Sequence, residues 1–144
     1  MREIKFRGRV KNTINPQWVY GIVIPPQYSS WEDWTLFDGE RRWIIDPETV
    51  GRFTGYKDIN GTDVYEGDIL GNTGFPREWR VVCFGEYADP SEKEKYHIGF
   101  HVKFRGPRLN DLYRKELGYW MKEAWKCRVV GNIHDNPKLF MECK

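Results

Sequence analysis

The chain predicts a mainly β protein with one or two short helices, and three observations carry that expectation. Ile4, Phe6 and Val10 alternate with Lys5, Arg7, Arg9 and Lys11, the two-residue period of a strand with one apolar and one basic face. Two turn pairs, Asp38-Gly39 and Asn60-Gly61, each stand between β-prone runs. Seven Trp, eight Tyr and eight Phe among 144 residues supply a larger core than a mean hydropathy of −0.72 suggests.

The elements follow in order. After the opening strand, Trp18 to Ile24 reads as a second strand, broken off by Pro25-Pro26. Trp34 to Phe37 and Glu40 to Ile45 form a tight hairpin around Asp38-Gly39. Asp46-Pro47-Glu48-Thr49 has an N-cap residue followed by proline at the first helical position, which predicts a single helical turn. Asn60-Gly61 tolerates positive φ at both central positions, so a type I′ turn is expected to join strands near 53–59 and 62–70.

Beyond Leu70, residues 72–76 read as a loop, Glu78 to Tyr87 as a strand, 88–95 as a polar connection and Tyr96 to Phe104 as a further strand. Leu109, Leu112, Tyr113, Leu117, Trp120, Met121 and Ala124 keep a 3.6-residue period, predicting a helix near 107–124 that Gly118 weakens. Lys126 to Ile133 closes the sheet with Cys127, Val129 and Ile133 on one face, and Asn136-Pro137 ends the fold. A soft boundary separates an N-terminal β subdomain, 1–49, from a second domain, 50–144.

Three blocks of sequence carry a family resemblance: Met1-Arg2-Glu3-Ile4-Lys5-Phe6-Arg7-Gly8, the phrase from Val50 to Leu70, and Val129-Val130-Gly131-Asn132-Ile133-His134-Asp135-Asn136-Pro137. Together, and in this order, they resemble the YopX family of bacteriophage and prophage proteins. The stretches 14–42 and 71–123 match no pattern. The resemblance implies a small, mostly β protein whose C-terminal part is an SH3-like barrel roll, made in the cytoplasm of an infected or lysogenic bacterium. It implies no reaction, no cofactor and no catalytic residues.

Charge and cysteine usage narrow the classes. The balance of 23 Lys and Arg against 21 Asp and Glu gives +2, too little to argue for nucleic acid or an anionic membrane from the total. Cys83, Cys127 and Cys143 lack any C-x-x-C spacing and read as reduced thiols. The longest apolar run, Trp18 to Ile24, is too short to span a bilayer, and no signal-like apolar core follows the first residues. The expectation is a soluble protein with no membrane role and no cofactor.

Several constellations suggest chemistry, each beside a plainer explanation. His97 and His101 have the spacing that shares a zinc ion on a helix, but on a strand they stand about 13 Å apart, too far for one metal even with His134 or Cys83 nearby. Asp58 to Asp63 places oxygen ligands around a glycine, yet Gly61 is misplaced for a calcium loop and Ile69 occupies the position of the bidentate Glu. Glu66 and Asp68 on one strand face would lie about 7 Å apart, a separation that suits a hydrolase acid and base but is also common at strand ends. Ser29, Ser30 and Ser91 lie in no nucleophile elbow.

Binding is better represented. Lys5, Arg7, Arg9 and Lys11 would project the same way at about 6.6 Å intervals, comparable with the phosphates of an extended single strand, although charge also keeps edge strands from pairing. Exposed aromatics beside that stripe would favour nucleic acid, because bases need stacking platforms. Tyr28, Trp31, Trp34 and Trp43 give the N-terminal subdomain more aromatic surface than it can readily bury, which predicts self-association. The sequence thus leads to a non-enzymatic phage accessory protein that binds itself or a host or phage protein. Sequence-tolerant nucleic-acid binding is the alternative, and a hydrolase using Glu66 and Asp68 ranks third.

Overall fold

The computed structural model describes residues 3–72, 74–88, 95–105, 114–122 and 125–141. The chain is mainly β and divides into two compact units, Met1–Phe53 and Thr54–Lys144. The division falls inside a strand, a few residues beyond the expected boundary at 49/50.

In the first unit, β1 (Phe6–Val10) pairs with β2 (Trp18–Ile24), β2 with β3 (Thr35–Phe37), and β3 with the start of β4 (Arg42–Lys57). β4 then turns its 45–52 segment onto β1, so the four antiparallel strands close on themselves and leave no open edge. Val19, Leu36 and Ile45 form the buried centre, with Val10, Val23, Trp34, Trp43 and Val50 packed around them. Gly8 fits this packing closely, because a Cβ there would come within 2.9 Å of Ile45 Cδ1 and the Ile45 side chain would have to shift.

The expected helical turn at 46–49 is instead part of β4. Opposite the two steps from Arg7 to Arg9, β4 advances five, from Asp46 to Gly51. A bulge absorbs the difference. Asp46 Oδ1 accepts the Glu48 N–H at 3.0 Å, and the Thr49 hydroxyl donates to Asp46 O at 2.6 Å while accepting the Arg9 N–H at 2.9 Å. Asp and Pro therefore supply local turn chemistry as expected, but pairing with β1 holds the backbone extended. Pro47, which has no N–H to give the ladder, sits where none is needed.

Both hairpin turns form with different geometry from the one expected. Asp38 to Arg41 makes a four-residue loop between the paired Phe37 and Arg42, with Asp38 Oδ1 accepting the Glu40 and Arg41 N–H groups. At the second turn, Gly61 has φ +80° while Asn60 is not among the positive-φ residues, so the turn is not type I′. Gly61 N–H donates to Asp58 O and Asp58 N–H to Thr62 O, which is a type I turn closed by a glycine bulge. The aspartate explains the choice, since its side chain favours the first position of a type I turn.

The second unit begins with the end of β4, which forms this hairpin with β5 (Asp63–Tyr65). The expected arm 62–70 is broken by a turn at Glu66-Gly67, with Gly67 at φ +91°, before β6 (Asp68–Asn72). β7 (Phe75–Ala88), β8 (Tyr96–Arg105), β9 (Arg114–Glu116) and β10 (Arg128–Asn132) complete an antiparallel sheet of order β10-β6-β7-β8-β9. Its core joins Val64, Leu70, Val82, Val102, Phe104, Leu117, Trp120 and Cys127.

The long helix expected near 107–124 is not what the described part of that stretch forms. Arg114–Glu116 pairs with β8, and only Leu117–Trp120 is helical, as α1. Residues 106–113 and 123–124, also within that expectation, lie outside the described residues, as do 89–94 of the polar connection. Leu117 and Trp120 keep the helical spacing and bury on one side of α1, whereas the open edge of β8 recruits the preceding residues as a strand. A second short helix, α2 (Pro137–Met141), follows Asn136 where the sequence reading ends the fold; Pro137 begins it, as proline commonly does.

Candidate functional site

The outward face of the first unit gathers the residues best suited to binding. Alternation on β1 sends Phe6, Gly8 and Val10 one way and Arg7 and Arg9 the other. Across the ladder, Trp18 stands opposite Arg9 and Tyr20 opposite Arg7, and the Arg7 guanidinium lies 4.7 Å from the centre of a Trp18 ring. Next along β2, Ile22 pairs with Phe37 of β3, and Phe37 pairs in turn with Arg42 of β4. Tyr20 is 49% exposed, Ile22 60% and Phe37 43%. Arg42 donates through Nε to Thr35 Oγ1 at 2.9 Å and covers the Trp31 ring at 4.9 Å.

The basic stripe is less open than its spacing suggests. Lys5 pairs with Glu3 at 3.5 Å and lies over Phe53 at 4.7 Å, and Lys11 meets Asp33 at 3.8 Å. Arg7 is buried and Arg9 half-buried, while Lys11 is exposed. The flanking aromatics, Trp18 and Tyr20, are nevertheless where a stacking surface would need them.

Of the four aromatic residues marked for self-association, two face solvent. Tyr28 is 77% and Trp31 40% exposed. Trp34 and Trp43 pack against the small core, and Trp43 Nε1–H donates to Asp38 Oδ2 at 2.9 Å. The three hydrogen bonds reaching Asp38, led by the Arg41 N–H and followed by Trp43 and Glu40, lower its pKa from 3.8 to about 2.

Sequence reasoning missed Tyr20, Ile22 and Phe37. The signal was present: from Trp18 to Ile24 every residue but Gly21 is apolar or aromatic, so both faces of β2 are apolar although one side of a small barrel wall faces water.

Other marked residues have structural roles. Glu66 and Asp68 do not share a strand face, because the Gly67 turn lies between them. Asp68 is buried, and its Oδ2 accepts the Tyr65 N–H at 2.7 Å, fastening that turn. The Asp58 carboxylate, considered as a cation ligand, accepts the Asn60 and Thr62 N–H groups at 2.9 Å each and the Val129 N–H at 2.8 Å. It therefore ties the β4–β5 turn to β10. His97 and His101 are separated by Tyr87, whose ring stacks on both with centroids 5.3 and 4.6 Å away. His134 donates its N–H to Asn132 Oδ1 in the turn after β10, and Cys83 contacts Val81 O. Among the described residues no group of three or more His, Cys, Asp or Glu is placed to hold a metal.

The core of the second unit contains a charge that the sequence reading did not place there. Arg80 is 1% exposed and packs against the adjoining rings of Phe104 at 5.1 Å and Trp120 at 4.5 Å, with Nη2 3.7 Å from Oε2 of the likewise buried Glu78. Among the described residues no helix is long and apolar enough to cross a membrane.

A family model described as YopX protein matches residues 5–141, nearly the whole chain. No curated protein matches it.

Proposed function

Because the chain belongs to the YopX family, we propose that it is a phage or prophage accessory protein that acts by binding, without catalysis, in the bacterial cytoplasm. The working surface is the outward face of the first unit, and its first partner is a second copy of the chain. The observation that carries this reading is the adjacency of Tyr20, Ile22 and Phe37, three large apolar side chains exposed in one row and bordered by Arg7 and Arg42. Aromatic and arginine side chains around an apolar centre are the usual composition of strong protein contacts. Tyr28 and Trp31 extend the exposed aromatic surface of the same unit. The antiparallel order of the second sheet, with β6 paired to β10, supports reading that unit as an SH3-like roll.

Light scattering across a concentration series tests the proposal. The parent chain is expected to self-associate, and the Tyr20→Ser, Phe37→Ser double variant to shift toward monomer with an unchanged circular dichroism spectrum. A strict monomer at the highest concentration, or association indifferent to the substitutions, refutes it.

One observation favours a second reading, single-stranded nucleic-acid binding: Trp18 and Tyr20 stand directly beside Arg9 and Arg7. The ion pairs at Lys5 and Lys11 weigh against it. Electrophoretic retardation of single-stranded DNA or RNA that weakens steeply with salt would favour it, and no retardation at low salt would end it.

A further inference from the structure

We propose that the second unit carries an anion site for a small organic phosphomonoester, in the open pocket that the β4–β5 turn shares with residues 121–122 and 126–127. The pocket is lined by Lys57, Asp58 and Ile59 on one side and by Met121, Lys122, Lys126 and Cys127 on the other. This site is separate from the face of the first unit and stands or falls independently of it.

The walls are fixed before any ligand arrives. Ile59 N–H donates to Cys127 O at 3.2 Å, and Asp58 Oδ2 accepts the Val129 N–H at 2.8 Å, so the turn cannot drift from the opposite wall without breaking both. Met121 N–H closes the end of α1 on Leu117 O at 3.1 Å. A preformed site loses little entropy on binding.

Charge selects the ligand's sign. The Asp58 carboxylate is occupied by three backbone N–H groups, and the Lys57 ammonium is balanced by Asp63 at 2.6 Å. Lys122 lies over the Tyr119 ring at 5.3 Å, and among the described residues neither Lys122 nor Lys126 forms an ion pair. Hydrogen bonding spreads the Asp58 charge without cancelling it, so Lys122 and Lys126 outweigh Asp58 and leave the lining net positive, which suits an anion; lysine serves phosphate as a compact point charge. The half-exposed Ile59 side chain and the Met121 thioether offer apolar contact to an organic body.

Two features define the site further. Lys126 has φ +48°, a left-handed conformation that a residue with a Cβ rarely adopts and that occurs preferentially where function tolerates strain. Cys127, 3% exposed, has its thiol pKa raised by burial, chiefly through loss of hydration, with Arg80 opposing weakly. Burial therefore favours the protonated thiol, the less nucleophilic form.

Isothermal titration of the full chain with adenosine monophosphate, and separately with adenosine, tests the site. The nucleotide should bind, more weakly as salt rises, and adenosine should not. Lys122→Gln with Lys126→Gln should lower affinity by about ten-fold or more at unchanged melting temperature, since both residues are exposed. Lys126→Gly should raise the melting temperature by relieving the strain while still weakening binding. No saturable nucleotide binding, equal binding of adenosine, or affinity unchanged in the Lys122→Gln, Lys126→Gln variant overturns the proposal.

Discussion

Replacing Asp58 by alanine should destabilise the second unit by about 2–4 kcal/mol. The figure follows from where its three hydrogen bonds go. The Asn60 and Thr62 N–H groups lie in an exposed turn and regain water when the carboxylate is removed, so each costs only the modest net value of a hydrogen bond. The Val129 N–H is less accessible, and Asp58 is itself 7% exposed, so water substitutes poorly there and a larger penalty applies. Asp58→Asn should recover only part of the loss, because its amide offers one acceptor oxygen where the carboxylate offers two. Amide hydrogen exchange is the assay of choice, since the two units need not unfold together. Faster exchange at Val129 and Thr62, with amides of the first unit unchanged, is the expected pattern. A stability change within about 0.5 kcal/mol of zero in urea unfolding would show that Asp58 does not fasten the turn to β10.

Two further predictions concern the first unit. A methyl group at Gly21, where φ is +157°, would overlap the Phe37 carbonyl, so Gly21→Ala should cost about 1–3 kcal/mol and weaken β2–β3 pairing, visible as faster exchange at Val23; parent-like stability would contradict that contact. Asp38 has a depressed folded-state pKa, so its contribution is present above its ordinary value of 3.8 and is lost as pH falls through about 2. NMR titration should show the Glu40 and Arg41 amide signals moving within that window, with Asp38→Ala abolishing the movement; titration of Asp38 near its ordinary value would refute the reasoning.

Elements whose residues decide their own backbone were legible. Trp18–Ile24 appears with the bounds that its β-rich run and Pro25-Pro26 predict. Gly61 takes positive φ as its place in a turn predicts, although the class of turn depended on Asp58, whose partners include a residue 71 positions away. Asp46-Pro47 illustrates the opposite case: the dipeptide is compatible with a helical start or a bulge, and the ladder to β1 selects the bulge. Residues 114–116 show the same competition, since a helical pattern gives way where β8 has an edge to fill. The candidate surface was half legible. The basic alternation of β1 could be read directly, whereas the partner face of β2 could not, because apolar residues on both sides leave inward and outward undecided.

The amino-acid sequence by itself determined the β class, most strand positions and the family, because side-chain periodicity and turn chemistry are local and act within a few residues. Tertiary structure decided which charges remain available. Lys11 stays exposed just beyond β1, whereas Arg7 is buried against Trp18 and Arg80 lies within an aromatic core beside Glu78. The difference comes from what each strand's face meets across the ladder, often dozens of residues distant, and desolvation by those neighbours sets what a charge can do.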